Sequence, residues 1–460
     1  MNIPSQPSVS FGHAHAPGPG LGALLRSLPD LRRDPLAFIQ QAVDAYGDIV
    51  QFRLGWLNAF LINSPEGIRR VLQDNHHSYS KNTIQYNALA AVTGKGLLTS
   101  DGEPWLVHRR LMQPAFSRPR VQGFGPLMIA ATRHLLREWE AAAASGQPVD
   151  VDQDMMRLAL EILGQALLGV DLRRDAPGLT AAVVTVLDHI VEGVKSPLRA
   201  PAFFPTAANR RFRSALKTLD LAVGEIIAAH QGERNPSQDD LLSLMIRAGV
   251  GGEHPAMDAR QLRDEMITIL IAGHETVASA LTWACYLLSQ NPPVAEKMQA
   301  ELCRVLGGRE PVTADLPALG YTSRVFDEAL RLHPPAWLIT RKCIRPDRIA
   351  GYSIPAGSLV VIGVAAMQRH PAYWPEPERF EPDRFTPEQS GGRPRFAYLP
   401  FGGGPRLCIG NSFALTEAPL ILASIFQRFR LEMTPGTIVE PVALVTQRPR
   451  FGLPMVVSKV

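Results

Sequence analysis

The stretch FGGGPRLCIG, residues 401–410, restricts the possible folds of this chain more than any other segment. Three consecutive glycines, a proline and an arginine lead to Cys408, and the apolar stretch NSFALTEAPLILASIFQRF after it predicts a helix. Glycines allow a tight turn whose N–H groups point inward, because no Cβ stands in the way. The helix would direct its positive N-terminal end at the sulfur. Both effects favour the thiolate, so we expect the pKa of Cys408 to be lowered.

Several glycine-loop chemistries fail on residue identity. A phosphate loop needs GxxxxGK[ST], and the stretch has no lysine. A dinucleotide fingerprint would need glycine where Leu407 stands, and a nucleophile elbow would need glycine at Arg406. One cysteine without His or Cys neighbours cannot close a zinc site, but it can be the single protein ligand of a haem iron. A small buried cysteine in a turn and a cysteine hydrolase remain as alternatives.

Composition restricts the class of protein. The chain has 460 residues, 46% hydrophobic and 20% charged, which is typical of a soluble globular protein. A net charge of +4 spread along the chain does not favour nucleic acid. Four cysteines in so long a chain do not predict a disulfide framework, and a reducing, cytoplasmic setting fits better. No signal peptide or membrane-spanning segment is predicted.

The patterning predicts a mainly α protein with a smaller β portion. Residues 48–63 predict two short strands with a tight link, and Ser64 with Pro65 predicts a helix start. Residues 105–290 are dominated by helical patterns, whereas residues 348–363 predict a hairpin with a Pro/Gly turn. We expect residues 1–30 to be a flexible Pro/Gly-rich segment and residues 31–460 to form a single catalytic domain.

The cysteine loop resembles the FxxGxRxCxG signature of the cytochrome P-450 haem-thiolate family. Phe401, Gly404, Arg406, Cys408 and Gly410 occupy all of its fixed positions. The resemblance implies the P-450 fold, with haem b lying between distal and proximal helices. It implies that Cys408 is the axial iron ligand, that Phe401 packs beside the sulfur, that Arg406 reaches a haem propionate, and that Gly410 belongs to the cofactor-binding loop.

A second stretch, ILIAGHETVASALTWACYLL at residues 269–288, predicts one long buried helix. A zinc-binding HExxH motif is excluded because position 278 is Ala278. AGHET resembles the family's [AG]Gx[DE]T oxygen-activation motif. The resemblance implies that Ala272 lies at the haem, that Thr276 holds the reacting oxygen and a water, and that Glu275 connects that water to bulk solvent. The alternative is a kinked core helix in which Thr276 bonds back to a carbonyl group.

The third and fourth motifs concern charge. Glu328 and Arg331 share one helix face, and the resemblance makes them the ExxR pair, which we expect Arg379 to complete. The alternative is an exposed, weak i,i+3 salt bridge. Trp105, Arg109 and Arg341 resemble residues that donate to the haem propionates. These are the cofactor contacts implied besides the cysteine loop.

Segments that flank the motifs are candidates for a substrate pocket. The candidates, nearly all apolar, are Ile84, Tyr86, Leu89, Leu97, Leu98, Ile269, Ala336, Trp337, Leu338, Ile339, Val445 and Thr446. Phe203 and Phe204 are a candidate lid. Because none of these residues is charged, we expect a hydrophobic substrate such as a terpenoid, a fatty acid or a polyketide-like molecule.

The resemblance implies a soluble bacterial monooxygenase of secondary metabolism that inserts one oxygen atom from O2. We expect no membrane anchor, a monomer, and electrons from NAD(P)H through a separate ferredoxin and ferredoxin reductase. Arg109, Arg110, Arg118 and Arg120 could form a basic docking patch for the ferredoxin. The alternatives are a haem-thiolate peroxygenase or isomerase, and a non-catalytic haem-binding protein.

Overall fold

The structure is a computed structural model that describes residues 15–460 apart from residue 56 and residues 174–175, 196–203, 233–239 and 251–256. Helices dominate the described residues, as predicted. The helices are α1 Leu21–Arg33, α2 Pro35–Tyr46, α3 Pro65–Arg69, α4 Ile84–Thr93, α5 Gly102–Met112, α6 Arg118–Gly123, α7 Gly125–Ser145, α8 Val151–Leu168, α9 Ala176–Lys195, α10 Ala207–Gly232, α11 Leu241–Val250, α12 Ala259–Gln290, α13 Pro292–Leu306, α14 Gly320–Leu332, α15 Val364–Met367, α16 Pro387–Ser390 and α17 Asn411–Phe426.

The β portion is small and divided. The strands are β1 Ile49–Leu54, β2 Leu57–Ile62, β3 Tyr79–Ser80, β4 Val149–Asp150, β5 Leu338–Cys343, β6 Asp347–Ile349, β7 Tyr352–Ile354, β8 Leu359–Gly363, β9 Phe429–Met433, β10 Pro441–Ala443, β11 Gln447–Pro449 and β12 Pro454–Lys459. One five-stranded sheet has the order β1-β2-β8-β5-β3, in which only β2 and β8 pair in parallel. A three-stranded sheet has the order β4-β12-β9, and two small hairpins pair β6 with β7 and β10 with β11.

The two strands and the helix start predicted near the N-terminus are confirmed. β1 and β2 pair antiparallel, from Ile49 opposite Ile62 to Leu54 opposite Leu57. Ser64 then caps α3, because its hydroxyl accepts a hydrogen bond from the Gly67 amide at 3.2 Å, and Pro65 is the first helical residue. The β1–β2 pairing and the cap of α3 both form between residues that are close in sequence, which is why the sequence could predict them.

The predicted hairpin at residues 348–363 is only partly correct. The turn lies at Ala350 and Gly351, whose φ angles are +48° and +86°, and it joins β6 to β7. β8 leaves this hairpin and inserts between β2 and β5 in the larger sheet. The apolar run that was assigned to one arm of a hairpin is therefore a central strand, buried by packing on both faces.

The predicted flexible segment 1–30 is also too long. Residues 21–33 form α1, and the Gln51 amide donates to the Pro17 carbonyl at 2.8 Å, so residue 17 is already joined to the sheet. Leucines that recur along α1 give it an apolar face, and Leu24 on that face is 5% exposed. Residues 1–14 of the predicted segment lie outside the described residues.

The centre of the molecule is α12, a 32-residue helix. It is long and apolar enough to cross a membrane, but 83% of its apolar window is buried inside the protein, as expected for a core helix. It is the one such helix among the residues that the structure describes. α12 packs on α8, α14 and α17, and the last of these begins directly after the cysteine loop. This arrangement brings the two motif-bearing segments into one core.

Candidate active site

The cysteine loop is a tight turn held by the rest of the chain. Gly402 and Gly404 have φ angles of +72° and +65°, which side chains rarely tolerate. A Cβ at Gly404 would lie 1.9 Å from the carbonyl oxygen of Leu72, so only glycine fits there. The Cys408 amide donates to the Phe401 carbonyl at 3.0 Å, which closes the loop immediately before α17.

The sulfur of Cys408 has an unusual environment. Its side chain is exposed, yet protein surrounds it closely enough that burial raises the pKa of the thiol. Exposure and desolvation occur together when a residue borders a space that protein atoms surround. The Gly410 amide, Arg109 and Lys81 oppose this shift, but they do not reverse it. Desolvation therefore outweighs the Gly410 amide and the two cations, so the pKa of the free thiol is raised and not lowered as predicted.

Arg406 and Trp105 lie together beside the loop. The Arg406 guanidinium stacks 3.8 Å from the Trp105 ring centroid, donates to the Ser100 carbonyl at 2.8 Å and donates to Asp101 at 2.5 Å. Arg109, one turn along α5 from Trp105, donates to the Leu407 carbonyl at 2.9 Å. Three of the predicted cofactor contacts thus converge next to Cys408.

The same region contains a lysine that the sequence did not indicate. Lys81 is 8% exposed, and its ammonium group donates to the Leu98 carbonyl at 2.6 Å and lies 4.8 Å from the Tyr86 ring centroid. Burial lowers its pKa well below the usual value, and Arg341 and Arg406 lower it further. A buried ammonium group near two guanidinium groups needs anionic partners.

The helix α12 presents a small accessible face in an otherwise buried helix. Ala272, Gly273 and Thr276 are half-buried, whereas the residues between and after them, from His274 to Ala280, are otherwise buried. Positions 272, 273 and 276 share one helix face. The Thr276 hydroxyl donates back to the Ala272 carbonyl at 2.8 Å, which is the local bond that the sequence left open. This face of α12 and Cys408 thus both keep accessible surface, although α12 and α17 pack together in the core.

Glu275 points away from solvent towards other elements. It is 3% exposed, and Arg448 from β11 lies 3.8 Å away, while Arg448 also donates to Asp152 of α8 at 2.6 Å. Burial raises the pKa of Glu275 to about 7, although Arg448 and the Thr446 hydroxyl lower it. His274 beside it donates its Nδ1–H to the Leu270 carbonyl, and burial lowers its pKa to about 4.

Glu328 and Arg331 form a fully buried pair, with contacts of 2.6 and 2.8 Å. The third cation is not Arg379, and that prediction is wrong. Arg379 has a side chain that is 60% exposed and pairs with Glu376 and Glu381 on the surface. Instead, Arg384 lies 3.4 Å from Glu328 and is buried. The sequence PERFEPDRF repeats Pro-x-Arg-Phe five residues later, which is the signal that could have found Arg384.

The predicted pocket residues do not all share one cluster. Those packed in the main core cluster are Tyr86, Leu89, Leu97, Leu98, Ile269 and Val445. Trp337 and Leu338 pack in a second cluster and Ile339 in a third, and the Trp337 indole donates to the Leu444 carbonyl at 2.9 Å.

The remaining candidates differ in exposure. Thr446 is 3% exposed, Ile84 is 61% exposed, and Ala336 is also exposed, so Ile84 and Ala336 are not packed into the core. Phe203 lies outside the described residues, and Phe204 is exposed.

Comparison with known proteins decides the family. The family model described as Cytochrome P450 matches residues 16–454. This chain belongs to the cytochrome P450 family. It is 37% identical to cyclooctatin synthase of Streptomyces melanosporofaciens over 98% of this chain and 96% of that protein. It is 34% identical to cyclooctat-9-en-7-ol 5-monooxygenase of the same organism over 91% of this chain and 90% of that protein, and 32% identical to pentalenene oxygenase of Streptomyces avermitilis over 93% and 94%.

As a cytochrome P450, the protein is a monooxygenase that uses haem b, O2 and electrons from NAD(P)H delivered by redox partners. The observed residues fit a haem. An accessible thiol stands at the start of α17, an accessible helix face stands on α12, and Lys81, Arg341 and Arg406 form a cationic group that would match the haem carboxylates. Guanidinium and ammonium groups are the usual donors to carboxylates in proteins.

Proposed function

We propose that this cytochrome P450 oxidises a cyclic terpenoid in bacterial secondary metabolism. The observation that carries the substrate class is that relatives matched over nearly the whole chain include cyclooctatin synthase, cyclooctat-9-en-7-ol 5-monooxygenase and pentalenene oxygenase, whose names refer to cyclic terpenoids. The apolar residues around α4, the 94–98 loop and Ile269 of α12 agree with such a substrate, because they offer no charged group for recognition. Burial of apolar surface would supply the binding energy.

The cofactor would be held by Cys408 on one side and by the cationic group at its carboxylate edge. Arg109, Arg341, Arg406 and Lys81 would donate to the two carboxylates, and Trp105 would add its indole N–H. Phe401 and Gly410 would border the sulfur. The bound haem would supply the activation of O2. Its thiolate ligand would donate electron density, which favours cleavage of the O–O bond.

Two residues of α12 would deliver protons to the reacting oxygen. The Thr276 hydroxyl would turn from the Ala272 carbonyl to the reacting oxygen and hold a water there, on the accessible face next to Ala272. Glu275, with a pKa of about 7, could supply protons to that water, because a general acid works best when its pKa lies near the working pH. The Arg448 side chain would keep the carboxyl group in position.

The electron donor would be a ferredoxin, reduced by a separate ferredoxin reductase. Arg110 and Arg118 are exposed, α6 packs against α17, and Arg109 contacts the cysteine loop. An acidic partner that docks on this patch, completed by Arg120, would approach the cysteine side of the haem, and opposite charge would speed the encounter. We propose a cytoplasmic monomer.

Two measurements test this function. The purified haem protein is titrated with a library of cyclic terpenes, fatty acids and polyketide-like compounds, and a low- to high-spin shift identifies a ligand. Turnover is then compared with ferredoxin, reductase, NADPH and O2 against hydrogen peroxide alone. We expect oxygenated terpenoid only with the electron-transfer system. Equal turnover with peroxide would favour a peroxygenase, and a spin shift only with fatty acids would exclude the proposed substrate class.

A further inference from the structure

The loop of residues 94–98, between α4 and α5, lies directly on the first turns of α12. Two consecutive carboxyl groups of α12 receive its backbone. Asp264 accepts a hydrogen bond from the Lys95 amide at 2.9 Å, and Glu265 accepts one from the Leu97 amide at 2.9 Å. The loop and these carboxylates are almost 170 residues apart in sequence, so the contact is purely tertiary.

The two carboxylates are themselves held in place. Glu265 is 0% exposed, and it also receives the Gln261 amide group at 2.9 Å and lies 3.1 Å from His108 of α5. Asp264 is 4% exposed and pairs with Arg263 at 2.9 Å. Gln261 in addition donates to the Lys95 carbonyl at 3.0 Å. The loop backbone is therefore bound to α12 through its amide N–H groups and through a carbonyl group.

The backbone at Gly94 and Gly96 lies so close to α12 that no side chain would fit at either position. A Cβ at Gly96 would lie 2.0 Å from the Thr268 hydroxyl, and one at Gly94, where φ is +59°, would lie 2.0 Å from an oxygen of Asp264. The sequence Gly94-Lys95-Gly96 therefore permits backbone contact with α12. Flexible glycines would otherwise favour an open loop, because they lose the most conformational entropy when they are ordered.

The loop also contacts residues that the proposed function places in the active site. Leu97 and Leu98 pack in the main core cluster with Tyr86, Leu89 and Ile269. The Leu98 carbonyl accepts the Lys81 ammonium group at 2.6 Å. A displaced loop would therefore remove apolar wall and a partner of the cationic group together.

We propose that Asp264 and Glu265 are positioning residues that hold the 94–98 loop closed over the substrate pocket and limit the exchange of bulky ligands. This inference rests on the proposed function, since it assumes that the loop borders the haem pocket. Small ligands should pass whether or not the loop is held. Large ligands should require it to leave α12, so the rate at which they dissociate should report on the two carboxylates.

The test uses the holoprotein with Glu265→Gln and, as a matched control, Glu296→Gln at an exposed position on α13. The probes are imidazole and the bulky azole clotrimazole, both of which can ligate haem iron through nitrogen. In Glu265→Gln we expect imidazole affinity within about twofold of wild type. We expect clotrimazole to dissociate about tenfold faster, because the hydrogen bond from the Leu97 amide loses its charged acceptor and is weakened. The control should match wild type for both probes.

Hydrogen exchange supplies a second readout that does not need a ligand. The amides of Lys95 and Leu97 should exchange faster in Glu265→Gln, with the rest of α5 and α12 unchanged. Unchanged exchange at these amides, or faster exchange with unchanged clotrimazole dissociation, would overturn the proposal. If wild type shows no spectral change with imidazole, the proposed function fails instead, and the exchange data still decide whether the carboxylates hold the loop.

A milder variant covers the case in which Glu265→Gln does not retain haem. Gln261→Leu at a half-buried position keeps both carboxyl groups but removes the bond to the Lys95 carbonyl and the bond that supports Glu265. We expect clotrimazole to dissociate several-fold faster from this variant, with imidazole affinity unchanged. Wild-type kinetics for both probes in Gln261→Leu would then overturn the proposal.

Discussion

Arg448 lies 3.8 Å from Glu275 and thereby joins the β10–β11 hairpin to the middle of α12. The arginine is shared, because its shorter contact, at 2.6 Å, is with Asp152 of α8. Glu275 therefore receives only part of the stabilisation that a full ion pair would give its charged form. Together with burial, this arrangement leaves its pKa near 7.

The pKa of Glu275 predicts how coupling depends on pH. The protonated fraction falls as pH rises through about 7, so a carboxyl group that supplies protons should work better at pH 6 than at pH 8. We expect product formed per NADPH consumed to fall over this interval, and Glu275→Gln to be poorly coupled at both values. Asp152→Asn should release Arg448 to Glu275, lower the pKa of Glu275 and move the fall to lower pH. A fall of the same size and midpoint in Glu275→Gln would assign it to another group.

Thr276 should control the fate of the electrons and not the binding of haem. Thr276→Ala removes a hydroxyl from the accessible face of α12, so we expect normal haem content and substrate-induced spin shift, with most NADPH diverted to hydrogen peroxide. Thr218→Ala is the control, because its hydroxyl makes the same i−4 bond, to the Ser214 carbonyl at 3.2 Å, on an exposed surface of α10. Peroxide yield is the measurement, and wild-type coupling in Thr276→Ala would remove the residue from the mechanism.

Cys408 should be the one cysteine whose loss abolishes the haem-thiolate spectrum. We expect Cys408→Ala to lack the red-shifted absorbance of the reduced carbon monoxide complex, because no other described cysteine stands in such a glycine loop. Cys303→Ala changes an exposed cysteine on α13 and should leave the spectrum unchanged. Survival of the band in Cys408→Ala would mean that another residue holds the iron.

The buried charge network predicts unequal effects from two nearby arginines. Arg384→Ala leaves Glu328 without one cation in a buried site, and we expect a loss of about 1–3 kcal/mol of unfolding free energy. Arg379→Ala removes only exposed contacts and should change stability by less than about 1 kcal/mol. Urea unfolding followed by haem absorbance compares the two variants. Equal losses would contradict the assignment of Arg384 as the third charge.

Lys81 should contribute to haem retention. Lys81→Met keeps much of the side-chain volume but removes a donor proposed for a haem carboxylate, and a hydrogen bond between charged groups is worth about 1.5–3 kcal/mol. We therefore expect haem to transfer to an apo acceptor protein at least about tenfold faster. Lys95→Met, at an exposed side chain in the neighbouring loop, is the control. Equal transfer rates for the two variants would place Lys81 outside the cofactor site.

The sequence alone predicted those features that depend on short spacing along the chain. The glycine loop before Cys408, the start of α17, the β1–β2 pair and the Ser64 cap follow from backbone geometry and neighbouring residues. Spacing also placed Glu328 and Arg331 on one helix face, whereas their assignment as a buried ExxR pair came from the family resemblance. These relationships hold whatever the rest of the chain does.

Tertiary structure decided which distant groups meet. Arg384 and not Arg379 reaches Glu328, and Arg448 reaches Glu275 across more than 170 residues of sequence. Lys81 enters the cationic group, and the carboxylates of α12 receive the 94–98 loop. Spacing in sequence carries no information about such pairs, since they depend on how whole helices and strands pack. The same packing removes the charges from water and therefore sets both their partners and their pKa values.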